Sequence, residues 1–126
     1  MLEKKHEDLE VYKIAMQLAM AIFHLTQTFP KEEKYALVDQ MRRSSRSVAA
    51  NLAEAWFKRR YKAAFVAKLN DCLSESCETQ VWLEFAFLCQ YLSEPQMKDL
   101  KEEYSRLQGK LIKMVNQADK WSSRRV

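Results

Sequence analysis

Cysteine and histidine are the side chains best able to carry metal, redox or nucleophilic chemistry, and this chain has three of the first and two of the second. Cys72, Cys77 and Cys89 have no C-x-x-C spacing, and only His6 and His24 could complete a zinc set with them. They read instead as small, weakly polar core residues. Their odd number also argues against the disulfide framework of a secreted domain. A di-iron bundle needs Glu-x-x-His pairs on its helices. Glu3 precedes His6 but lies ahead of the first helix, and position 21, three before His24, is Ala. No Ser-His-Asp, Cys-His or paired-acid arrangement follows from the spacing either. Gly109 is the single glycine, so no glycine-rich phosphate loop can form. The expectation is a protein that is not an enzyme and has no metal or cofactor site.

Charge offers more. The net charge is only +4, yet residues 42–68 hold eight basic side chains against one acidic, Glu54. The eight are Arg42, Arg43, Arg46, Lys58, Arg59, Arg60, Lys62 and Lys68, and Trp56, Phe57, Tyr61 and Phe65 are interleaved with them. Cations neutralise phosphates and aromatic rings stack on unpaired bases, so this stretch is a candidate surface for RNA or DNA. Basic residues at a helix C-terminus also complement its dipole, and the rings could equally close the end of a helical bundle.

Beside the cations runs a polar line. Arg43, Ser47, Asn51 and Glu54 recur at helical spacing, next to apolar Val48, Leu52 and Ala55. A later segment offers Glu75, Glu78, Thr79 and Gln80. Packed together, Arg42 or Arg43 would pair with Glu54, Glu75 or Glu78, while Asn51 and Gln80 hydrogen-bond across helices. Such a network of Arg43, Asn51, Glu54, Glu78 and Gln80 would set register or subunit geometry.

The elements that must position these residues are helical. At 126 residues the chain fits one domain, residues 1–126, with one Gly and two Pro and a bias toward strong helix formers. The first helix is expected over 8–28, with Asp8 as N-cap and apolar residues spaced by three and four, ending before Phe29-Pro30. The second, over 31–59, carries Leu37, Met41, Val48 and Leu52, and turns within Lys58-Arg59-Arg60-Tyr61-Lys62. The third spans 62–92 with Phe65, Leu69, Cys72 and Leu83 inward. The fourth, over 94–121, opens on a capping box of Ser93 and Gln96 with Pro95 in its first turn. Gly109 within it offers room for a close helix contact, and the tail from Ser122, with Arg124 and Arg125, is expected to fray. Short connections then make an all-α, up-down-up-down antiparallel four-helix bundle.

Two helices carry more apolar surface than one small bundle can bury. The first has a second line at Val11, Ile14, Leu18 and Leu25, and the third reads VWLEFAFLCQYL over 81–92. Burial against other copies, a homo-oligomer, is the expectation. The opening MLEKKHEDLE has no apolar leader core and no run approaches a membrane span of ~18 residues, so the expected setting is cytoplasmic, without a membrane.

These residues resemble the four-helix-bundle family named for the 23S rRNA intervening sequences, also labelled S23. The likeness rests on Asp8-Leu9-x-Val11-Tyr12 with Ala15 and Leu18, then Phe29-Pro30, Glu33, Tyr35, Leu37 and Gln40. It continues through Arg42-Arg43, Ser47-Val48, Asn51 and Ala53-Glu54, and later Phe65, Leu69, Ser74 and Glu78-Thr79-Gln80. Where the family usually reads A-E-G at the end of helix 2, this chain has Ala55 followed by Trp56-Phe57, so the helix is expected to run further. The resemblance implies a homopentameric bundle without catalytic activity and with a role in binding RNA. It also implies kinship with the accessory variability protein of diversity-generating retroelements, which partners a reverse transcriptase. Nucleic-acid binding by an oligomer is therefore the leading expectation, and a protein-interaction module serving a reverse transcriptase is the alternative.

Overall fold

The computed structural model describes residues 3–122 and is all-helical among them. Its long helices are α1 (Glu10–Thr26), α2 (Leu37–Phe57), α3 (Lys62–Leu88) and α4 (Glu94–Asn116), followed by a short α5 (Ala118–Ser122). Helix α1 packs against α2 and α4, and α3 packs against α2 and α4, which is the square cross-section of a four-helix bundle. Three- and four-residue spacing puts Ile22, Met41, Val48, Leu52, Phe65 and Leu69 on inward faces, where all are essentially solvent-free. Leu83, Tyr104, Leu107 and Leu111 close the core from α3 and α4.

The helix ends depart from the sequence expectation for local reasons. Asp8 does not cap α1: it belongs to a 3-10 turn, His6–Asp8, and its carboxylate accepts the Lys4 and Lys5 amides at 2.9 and 3.2 Å. Those bonds hold its pKa below the ordinary carboxylate value. After Pro30 the chain makes only a 3-10 turn, Lys31–Glu33, and Ala36 then leaves helical geometry at φ −121° and ψ −104°. Helix α2 therefore starts at Leu37, whose amide donates to the Glu33 carboxylate at 3.3 Å. The same carboxylate accepts the Tyr91 hydroxyl at 2.7 Å, so Glu33 ties the α1–α2 connection to the α3–α4 one. This bond to an anion pushes the Tyr91 hydroxyl pKa up to about 12.

The α2–α3 turn falls at Lys58–Tyr61, within the basic stretch. Helix α3 stops at Leu88, short of residue 92. Gln90 adopts φ 66°, and the Tyr91 amide reaches back to the Ala86 carbonyl at 2.9 Å. That is a Schellman closure in which glutamine occupies the place glycine usually takes. The Ser93–Gln96 capping box at the start of α4 is present, with Pro95 behind it. Helix α4 breaks at Gln117 rather than continuing to 121, and Lys62 bridges to Asp119 of α5 at 2.8 Å. Gly109 makes no close contact, because a Cβ added there would meet nothing within 4 Å. The expected fraying from Ser122 onward concerns residues 123–126, including Arg124 and Arg125, which lie outside the described residues.

The surplus apolar surface divides unequally. Val11 and Leu18 of α1 are buried within this same bundle, and Ile14 and Leu25 pack partly against its core. The second line of α1 is thus absorbed by its own neighbours. Helix α3 keeps an exposed apolar stripe: Val81, Phe85 and Leu88 face solvent. Of the cysteines, only Cys72 is in the core; Cys77 and Cys89 are exposed. Burial pushes the Cys72 thiol up to about 12, which removes it from thiolate chemistry.

Candidate nucleic-acid interface

Helix α2 is 21 residues long, and its two ends carry different groups of the expected cations. From Arg43 to Lys58 the helix rises about 22 Å at 1.5 Å per residue, so the eight basic residues do not form one corner patch. They fall into an end group, a turn group and three that serve the fold.

Arg59 is one of those three. It is only 3% exposed, its Nε donates to the Trp56 carbonyl at 3.0 Å, and its guanidinium lies 3.4 Å from the Trp56 ring centroid. A side chain held this way cannot reach a phosphate, so Arg59 leaves the set of candidate contacts. Arg42 is half-buried and joins α2 to α1: its Nε donates to the Thr26 hydroxyl at 2.9 Å and its guanidinium stacks 4.7 Å from the Phe23 ring. Lys68 is enclosed by Asn51 at 3.3 Å, Glu54 at 3.4 Å and Asp71 at 3.8 Å.

Five candidates remain on the surface. At the turn, Lys58, Arg60 and Lys62 are exposed, with Lys62 paired to Asp119. Phe57 and Tyr61 stand out beside them, 74% and 65% exposed. His6 packs edge-on to Tyr12 and lies 5.9 Å from the Phe57 ring, which supports one side of that ring. At the other end, Arg43 and Arg46 share an open groove of about 480 Å³ with Lys34 and Tyr35. Tyr35 is 85% exposed, with the Lys34 ammonium 5.3 Å from its ring centroid. Charge counting missed Lys34 and Tyr35, because Glu32 and Glu33 precede them and cancel the local excess.

The expected polar network is two separate ones. Arg43 is not in either: it pairs with Asp39 one turn back, at 3.2 Å on the surface. Asn51 donates to the Ser47 carbonyl and hydroxyl at 3.0 Å and accepts from Lys68, which also holds Glu54. That set joins α2 to α3. Gln80 instead faces α4, donating to the Lys101 carbonyl at 2.8 Å and the Ser105 hydroxyl at 3.0 Å, and accepting from Gln108 at 2.9 Å. Asn51 and Gln80 do not meet: Asn51 of α2 faces Lys68 of α3, while Gln80 lies three turns further along α3 and faces α4. Glu78 lies beside Glu75, whose pKa is raised, first by burial and then by the neighbouring Glu78 charge. A third contact, unforeseen in the sequence, is the buried pair of Ser44 and Thr79 hydroxyls at 2.8 Å. Each hydroxyl also reaches a carbonyl of its own helix, Thr79 that of Glu75 at 2.9 Å and Ser44 that of Met41 at 3.4 Å. Tyr104 lies beside Thr79 without a well-formed hydrogen bond, and desolvation pushes its hydroxyl pKa up.

Among the described residues, no three His, Cys, Asp or Glu side chains gather as metal ligands, and no helix is long and apolar enough to cross a membrane. The molecule is a four-helix bundle whose interior polar groups tie helices together. Of the expected cations, the exposed ones lie beside exposed rings, in the groove along the first half of α2 and at the turn that follows it.

The chain belongs to the 23S rRNA-intervening sequence protein family, whose model matches residues 7–113. A solved structure with the same fold is that of a protein of unknown function from the S23 ribosomal protein family of Bacteroides thetaiotaomicron VPI-5482. It is 28% identical, with a TM-score of 0.76, over 84% of this chain and 95% of that one. No curated protein matches the chain.

Proposed function

We propose that this family member is a non-enzymatic, self-associating cytoplasmic bundle that binds RNA through the α2–α3 turn. The observation that carries the reading is the pairing of exposed rings with exposed cations: Phe57 and Tyr61 project from the surface on either side of Lys58 and Arg60 in the chain. Two large rings left in water are costly for a fold that could have buried them, and they suit stacking on unpaired bases while the cations hold phosphates. The test is fluorescence anisotropy of a labelled RNA hairpin across a salt series. Lys58→Glu with Arg60→Glu should abolish binding at constant oligomer mass. Affinity that is negligible and insensitive to salt would refute the reading and favour a protein partner, such as the reverse transcriptase that the retroelement resemblance implies.

Self-association rests on the outer face of α3. Ala67, Asn70, Ser74, Cys77, Val81, Phe85 and Leu88 follow three- and four-residue spacing along that face, with no charge among them. Such a seam accepts a second helix. Phe85→Glu should reduce the assembly to single chains by light scattering, and an unchanged mass would refute the seam. Five copies is the number the family resemblance implies.

A further inference from the structure

The groove at the far end of α2 is not needed by the turn site, yet it repeats the same chemistry. Tyr35 stands there as an exposed ring in a groove with Lys34, Arg43 and Arg46, as Phe57 and Tyr61 stand exposed beside Lys58 and Arg60. At 3.6 residues per turn, Arg43, Arg46, Ala50, Glu54 and Phe57 fall within an arc of about 80° on α2. The two clusters therefore lie on one side of one helix. Between them the surface is low and mostly neutral: Ala50 is exposed with only a methyl group, and Ser47 and Asn51 bond to each other. Glu54 is the one acidic side chain on the way, and Lys68 holds its carboxylate at 3.4 Å. Asp39, at the groove, is likewise held by Arg43 at 3.2 Å.

We infer that the outward face of α2 is a continuous track for a single nucleic-acid strand, gripped at both ends and running freely over the middle. The inference rests on the RNA-binding reading of the turn and adds a second contact site, a ligand class and a length. A duplex has no unpaired base to offer either cluster, so the rings select single strands. The span of about 22 Å corresponds to about six or seven nucleotides of a stacked strand, at about 3.4 Å each, and fewer if the strand is extended. Five exposed cations line the track: Lys34, Arg43, Arg46, Lys58 and Arg60. Contact with all five phosphates would give a salt slope near −3.5, from about −0.7 per phosphate for single strands.

Labelled oligouridylates of 4, 8 and 12 nucleotides, with a 12-base-pair RNA duplex beside them, test this by anisotropy. The expected result is a steep gain in affinity from 4 to 8 nucleotides, little more at 12, and weak duplex binding. Tyr35→Ala combined with Arg46→Glu should cost the 12-mer about tenfold or more while sparing the 4-mer, which the turn holds alone. Lys113→Glu, an exposed cation on α4, controls for net charge and should leave the length dependence intact. If the groove variant binds the 12-mer as tightly as the parent, the track is refuted while the turn site stands; if the duplex binds as well as the single strand, the track is refuted and base stacking at the turn with it. If no RNA binds in a manner sensitive to Lys58→Glu and Arg60→Glu, the track and the turn site both fall.

Discussion

Arg59 and Arg60 are neighbours in the chain with opposite environments, and replacing each by alanine separates fold from surface. Arg59 donates to the Trp56 carbonyl at 3.0 Å and stacks on the Trp56 ring at 3.4 Å while almost wholly buried. A hydrogen bond from a charged donor is worth about 1.5–3 kcal/mol and a desolvated cation–π contact about 2. The same guanidinium makes both, and its removal recovers part of the desolvation its burial costs, so the net loss is about 2–3 kcal/mol. Unfolding entropy of about 2.1 cal/mol/K per residue converts this to a fall in Tm of about 8–11 °C for a chain of this length. Arg60→Ala, on the exposed side of the turn, should stay within about 0.5 kcal/mol of the parent and weaken RNA binding instead. Arg59→Lys keeps the charge but not the flat stacking surface, so it should fall between the two. The assay is urea unfolding followed by circular dichroism at one fixed protomer concentration, because assembly itself adds stability. Equal stability for Arg59→Ala and Arg60→Ala would refute the assignment of Arg59 to the fold.

Two further perturbations probe local energetics. Gly109→Ala should stabilise the protein by about 1 kcal/mol, since an exposed helical site with open space around it gains propensity at no steric cost. Gln90→Gly should also stabilise, by about 1 kcal/mol, by relieving the left-handed backbone at φ 66°; a loss of stability in urea unfolding would count against either. Glu75 has a raised pKa, so the folded chain holds its proton more tightly than the unfolded chain does, and its ionisation at neutral pH weakens the fold. Glu75→Gln should therefore raise Tm at pH 7, with the gain fading as pH falls through that raised value toward about pH 4. A gain of the same size at both pH values would show that charge is not its cause.

The helical class, the four long segments and most of the core were legible in the spacing of apolar residues. A helix buries one face, and that face recurs every three or four positions whatever its neighbours are. The Ser93–Gln96 cap was equally legible, because a capping box is made within four residues. The start of α2 was not, since Ala36 breaks the helix through its backbone, with the cap supplied by Glu33 from outside the helix. The fate of the second apolar line of α1 was also out of reach, as it depended on where α2 and α4 came to lie.

For the candidate site, the residue types and their density were plain in the sequence, and so was the family to which they belong. Tertiary structure decided which cations are surface. Arg42 reaches across to Phe23 and Thr26 of another helix, and Lys68 closes on Asn51 and Glu54 of α2. Arg59 folds back over Trp56 at a turn whose geometry depends on both flanking helices. A charge count records how many cations a segment has. Whether any of these three meets solvent or another side chain depends on contacts between residues up to 19 positions apart, which only the packed bundle brings together.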